Sequence, residues 1–144
     1  MQFITIGKPP DYLRLTAVRQ PPDGAPEFVP RHRRRYLDAE LRGRDVTAKV
    51  RLDLFDEYGG LVQFLDQVAA HWHDMDNWSM AWGRGNPLRL EVIRGPRPAL
   101  GPDHLIVHIK LHHGGQRFWT LETSLILSPE EFEAIARDAH RLTD

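Results

Sequence analysis

The chain has 144 residues, of which 27% are charged, and its formal net charge is −1 at pH 7. This length predicts one domain that can fold without a disulfide or a metal, and the charge balance argues against whole-molecule attraction to nucleic acid or an anionic membrane. The sequence has no cysteine, which excludes thiolate metal sites and cysteine nucleophiles and is consistent with the cytoplasm, our expected location. The N-terminus lacks the pattern of a signal peptide, and no apolar run approaches the ~18 residues of a membrane span.

Alternating apolar and polar side chains in the first third predict half-buried strands. The segments are "YLRLTAV", "RYLDAELRG" and "DVTAKVRLDLF", with the turn-rich "QPPDGAPEFVP" between the first two. Gly43 and Arg44 suit a hairpin turn before the third segment. We therefore expect a single domain, 1–144, in which residues 1–33 supply N-terminal strands and a Pro-rich loop and residues 34–144 form the core.

The period of the apolar residues then becomes helical. Apolar side chains recur three and four residues apart, which predicts an amphipathic core helix; they are Leu61, Phe64, Leu65, Val68, Ala69, Trp72 and Met75. Further strands are predicted at "WSMAWG", "LRLEVIR", "HLIVHIKLH" and "RFWTLETSLIL". Ser128, Pro129 and Glu131 have the spacing of a capping box that begins a second helix.

Both halves of the chain therefore run from strands into a helix, with "VRLDLFDEYGGLVQFLDQVA" weakly echoed by "TSLILSPEEFEAIARDA". The predicted fold is α+β: a largely antiparallel sheet of about six to eight strands with two amphipathic helices packed on one face.

Two groups of histidines raise the question of a metal site. In "AAHWHDMDNWSMAW", His71 and His73 could join Asp74 or Asp76 as ligands only if the helix unwinds, because residues two apart point in different directions on a helix. The alternative is that these histidines interact with the helix C-terminus. His104, His108 and His112 are too far apart along a strand to share one ion, and they predict a polar outer face.

Signals for catalysis are weak. None of the serines lies in a G-x-S-x-G motif, and "GRGNP" lacks the ending of a phosphate loop. We therefore predict no catalytic residue and no cofactor, and we expect a protein that is not an enzyme.

A basic segment, "RHRRRY" at residues 31–36, could bind nucleic acid through Arg33, Arg34 and Arg35. The first 45 residues carry nine basic and six acidic side chains, whereas residues 46–80 carry two basic and six acidic ones. Nucleic-acid sites usually place aromatic side chains beside the cations, and here only Tyr36 is near. We favour the alternative that these arginines are exposed to solvent where a strand begins.

The order of apolar positions in "VTAKVRLDLF…LVQFLDQVAAHW…LRLEV…HLIVHIKLH…FWTLETSLILSPEEFEAIAR" resembles a family of uncharacterised small actinobacterial domains. More distantly, it is similar to the immunity proteins of the cell-wall-associated toxin type, over about residues 34–142. The resemblance implies a protein-binding domain that neutralises a toxin by covering its active surface. On this hypothesis the acidic segment steers a basic partner and tryptophan anchors it; the residues are Asp66, Asp74, Asp76, Trp78 and Trp82.

Two alternatives stay open at this point. One is a small metal-binding domain or metal-dependent hydrolase that uses His71, His73 and Asp76. The other is a nucleic-acid-binding accessory protein that uses Arg33, Arg34 and Arg35.

Overall fold

The computed structural model describes residues 2–18, 35–54, 58–96, 102–113 and 118–143. Within these ranges the chain forms two four-stranded antiparallel sheets. The first contains β1 (Phe3–Lys8), β2 (Asp11–Val18), β3 (Arg35–Arg42) and β4 (Thr47–Leu54). The second contains β5 (Ser79–Trp82), β6 (Leu88–Arg94), β7 (Leu105–His113) and β8 (Trp119–Leu127). Helix α1 (Gly59–His71) follows the first sheet and helix α2 (Pro129–Ala139) follows the second.

The sheets correct the predicted architecture. The prediction of α+β with two helices is confirmed, but a single sheet of six to eight strands is wrong, because every hydrogen-bonded strand pair joins neighbours in sequence and α1 interrupts the series after β4. Each half is therefore a four-stranded meander followed by a helix, as the echo in the sequence suggested. Short 3₁₀ turns follow the helices at Trp72–Asp74 and His140–Thr143.

One apolar core joins both sheets and both helices. Alternation places Leu13, Leu15 and Ala17 of β2 inside, and the matching positions of the other strands are buried in the same way. The helices pack against each other, α2 contacts β1, and β4 lies against β7. Full burial of a side chain such as Phe132 of α2 stabilises the fold by roughly 1.5–3 kcal/mol.

The two helices begin differently. Ser128 caps α2: its Oγ accepts a hydrogen bond from the backbone N–H of Glu131, and the Glu131 side chain accepts one from the Ser128 N–H, as predicted. Helix α1 instead begins after Tyr58, which has a left-handed backbone with φ of 73° and lies almost fully buried. The Tyr58 hydroxyl donates to the Tyr36 carbonyl at 2.7 Å, so it fastens the start of α1 to β3.

Most of the predicted strands are confirmed, but β1 was not predicted. The short apolar run "FITIGK" next to two prolines forms this edge strand. The basic segment lies largely outside the described residues: Arg33 and Arg34 are not covered, and only the backbone of Arg35 is described, at the start of β3. No helix among the described residues has the length and apolarity needed to cross a lipid bilayer.

Candidate functional site

Arg94, the last residue of β6, organises the connector between α1 and β5. Its side chain is only 8% exposed. One terminal nitrogen, Nη1, donates to the His73 carbonyl at 2.7 Å and to the Asp76 carboxylate at 3.1 Å. The other, Nη2, donates to the Asp103 carboxylate at 3.1 Å. Arg94 therefore fastens two loops from different parts of the chain to the end of one strand.

The ring of Trp72 packs against the guanidinium of Arg94. The guanidinium carbon of Arg94 lies 5.4 Å from the centre of the Trp72 ring, within the range of a cation–π interaction. The Trp72 indole nitrogen donates to the Glu133 carboxylate of α2 at 3.3 Å, and its ring packs against the core. The connector is thus fixed to α2 as well as to β6.

Trp78, immediately before β5, points outward from this fixed connector. Trp78 is a large apolar residue and is 47% exposed. The indole N–H donates to the Asp74 carbonyl at 3.0 Å, and Met75 anchors the intervening backbone in the core. Because the ring's polar group is already used and its backbone is held, the exposed surface of Trp78 is presented in a defined orientation.

Asp74 and Asp76 lie on the same connector as the exposed tryptophan, and Asp103 is joined to this connector through Arg94. The Asp74 and Asp76 side chains are 67% and 59% exposed, and Asp103 is also partly exposed. Arg94, which binds Asp76 and Asp103, lies beneath the surface, and the exposed His73 ring is 3.7 Å from the Asp74 carboxylate. We call Asp74, Asp76, Trp78 and Asp103 the Trp78 patch. Because these carboxylates are far more exposed than Arg94, the patch presents an acidic surface beside an apolar ring.

Two of the predicted partner-binding residues lie outside this patch. Asp66 is on α1, where its carboxylate is 2.8 Å from the His140 ring nitrogen that follows α2, in an open groove between the helices. Trp82 is on β5 and packs against the core. The structure therefore gathers Asp74, Asp76 and Trp78, and it separates them from Asp66 and Trp82.

The possible metal ligands are not brought together. Helix α1 persists through His71, so that His71 and His73 lie on opposite sides of the helix end, and Asp76 is bound to Arg94. Across the described ranges, no group of three or more His, Cys, Asp or Glu side chains is placed to hold a metal ion.

Of the three histidines predicted to form a polar outer face, His108 and His112 lie on the outer face of β7, whereas His104 precedes the strand. His108 is 3.0 Å from the Ser124 hydroxyl and His112 is 3.1 Å from that of Thr120, in each case across the β7–β8 pair. These contacts satisfy polar groups of neighbouring strands on an open surface. Ser124 also lines an open groove together with Gly7, Asp11 and Glu131, but His108 does not line it.

Arg94 and Asp103 were not predicted as part of the site. The sequence offers one signal in retrospect: Arg94 ends a strand of alternating residues and is followed by Gly95 and Pro96, where a change of chain direction can bury a long side chain. Neither a scan of protein-family models nor a search of curated proteins finds a match to the chain. The resemblance to the actinobacterial domains and to immunity proteins stays a prediction.

Proposed function

We propose that the chain is a non-enzymatic protein-binding domain whose Trp78 patch holds a basic surface of its partner, with a toxin-type protein as the partner. The observation that carries this proposal is the fixed but exposed ring of Trp78 among outward carboxylates. Tryptophan is enriched among the residues that dominate binding energy at protein interfaces.

The fixed geometry supports binding because a rigid anchor loses little freedom when the partner arrives. Ordering a mobile side chain at an interface costs about 0.5–1.5 kcal/mol. The hydrogen bond from Trp78 to Asp74 and the contacts of Arg94 beneath the connector lower that cost before binding. A lone exposed tryptophan on a mobile loop would lack this advantage.

The charges indicate the chemistry of the partner. Three partly exposed carboxylates attract a surface rich in lysine and arginine, and they raise the rate of its encounter with the patch. The exposed face of Trp78 can then accept a partner's guanidinium or ammonium group by a cation–π interaction. A toxin with a basic active surface fits this description, and coverage of that surface would neutralise it.

Binding kinetics separate the anchoring role of Trp78 from the attraction of the partner by the carboxylates. A partner captured from native lysate is purified, and its association and dissociation rates with the wild type and with variants are measured by surface plasmon resonance. Trp78→Ala should raise the dissociation rate at least tenfold, because an anchor is lost. Asp74→Asn should lower mainly the association rate and weaken its salt dependence.

Phe118→Ala provides the matched control, since Phe118 is also an exposed aromatic residue but lies at the start of the outer face of the second sheet. It should bind with wild-type rates. A partner that binds Trp78→Ala and the wild type equally well, or that is acidic and gains affinity from Asp74→Asn, would refute the proposal.

A further inference from the structure

The outer face of the first sheet carries a row of aromatic and arginine side chains on neighbouring strands. The guanidinium of Arg14 on β2 lies 5.0 Å from the centre of the Phe3 ring on β1 and 5.7 Å from that of Tyr12. Tyr12 is directly opposite Arg42 of β3 in the strand register. We call Phe3, Arg14, Tyr12 and Arg42 the aromatic–arginine row.

Two more cations extend this face onto β4. Lys49 is opposite Glu40 and Arg51 is opposite Asp38, so that both point to the same side as the aromatic–arginine row. Arg51 binds both oxygens of Asp38, at 2.6 and 3.0 Å, and Lys49 is 3.8 Å from the same carboxylate. These contacts hold the long cationic side chains at defined positions on the sheet.

The cations of this face are more exposed than the carboxylates that they bind. The Lys49 and Arg42 side chains are 60% and 53% exposed, whereas those of Asp38 and Glu40 are only 12% and 23% exposed. The carboxylates thus lie close to the sheet and the cations stand above them. A ligand that approaches the face meets positive charge first, although the whole chain has a net charge of −1.

We propose that this face binds single-stranded nucleic acid. Phosphates would pair with the exposed cations, and unpaired bases would stack on the half-exposed Phe3 ring and on the plane of the Arg14 guanidinium, the two interactions that proteins combine to hold single strands. A double helix fits less well, because the face of a sheet projects no helix into a groove and the bases of a duplex offer no free rings. The proposal is independent of the Trp78 patch.

Fluorescence anisotropy with a labelled ten-nucleotide oligothymidylate tests this inference on the full chain. We expect a dissociation constant of about 10⁻⁴ to 10⁻⁶ M near physiological salt, with affinity that falls as salt rises. Phe3→Ala should weaken binding about tenfold through lost stacking. Arg14→Gln should weaken it similarly and should also reduce the slope of log affinity against log salt by about 0.7, the value for one phosphate contact.

The control variant is Arg89→Gln, because Arg89 is an exposed arginine beside a glutamate on the outer face of the second sheet. It should bind as the wild type does, and thermal unfolding should show that all three variants are folded. Four results would each overturn the proposal: no binding at low salt, equal losses for Arg89→Gln and Arg14→Gln, unchanged affinity for Phe3→Ala, or equal competition by polyglutamate. The last two would mean that the face attracts any polyanion and does not stack bases.

Discussion

Replacement of Arg94 by alanine should destabilise the protein and release the connector that presents Trp78. The change removes three hydrogen bonds from a largely buried guanidinium and its cation–π contact with Trp72. Asp76 and Asp103 are hydrated by water when the arginine is lost, so the ion pair of each with Arg94 contributes at most about 1 kcal/mol to stability. The bond to the His73 carbonyl and the contact with Trp72 add about 1 kcal/mol or more each. We therefore expect the free energy of unfolding to fall by about 3 kcal/mol.

Urea denaturation and thermal unfolding measure this loss directly. For a domain of this size, 3 kcal/mol corresponds to a fall in melting temperature of about 6–12 °C. Hydrogen exchange should also become faster at residues 72–76, since the connector can then open without unfolding the sheets. Arg94→Lys should lose about half as much stability as Arg94→Ala, because a single ammonium group cannot reach both loops as the planar guanidinium does.

Arg89→Ala is the control, since Arg89 is exposed and its nearest carboxylate, that of Glu91, is 3.5 Å away. Loss of the Arg89 side chain should lower the free energy of unfolding by no more than about 0.5 kcal/mol. If Arg94→Ala were equally mild, or if exchange at residues 72–76 stayed at the wild-type rate, the role assigned to Arg94 would be incorrect.

Three further changes test the fold. Ser128→Ala removes the cap of α2 and should cost about 1 kcal/mol in urea denaturation, whereas Ser79→Ala, at an exposed strand position, should be nearly neutral. Hydrogen bonds from Arg51 lower the pKa of Asp38, so the stability that this carboxylate contributes is present above pH 3.8, its ordinary pKa, and is lost as the pH falls below that value. Asp38→Asn should therefore flatten the acid side of the stability profile, and an unchanged profile would contradict the assignment. Tyr58→Phe leaves a buried carbonyl of β3 without its donor and should lower stability by about 1–2 kcal/mol, measured by thermal unfolding.

The secondary structure could largely be predicted, because most elements other than β1 have a clear local signal in the sequence. Alternation marks the strands, and the capping box at Ser128 marks the start of α2. The division into two sheets could not be predicted in this way. Alternation shows which face of a strand is buried, but it does not show which strands are neighbours or where a sheet ends.

The candidate site was predicted only in part. The sequence suggested that Asp74, Asp76 and Trp78 belong to one surface, and the structure places them on one connector. Trp78 and Trp82 could not be distinguished, because their exposure depends on how the connector folds. The role of Arg94 was not visible either, since its burial results from contacts with residues that are separated from it by 9 and 21 positions.

The packing of β1 against α2 affects how the chain can fold during its synthesis. Ile4 and Ile6 of β1 are buried, and part of their cover comes from a helix that begins about 120 residues later. At typical translation rates, β1 leaves the ribosome on the order of 10 s before α2 does. Throughout that interval its apolar side chains lack their final cover on a nascent edge strand, so β1 is a segment that protection by chaperones would benefit.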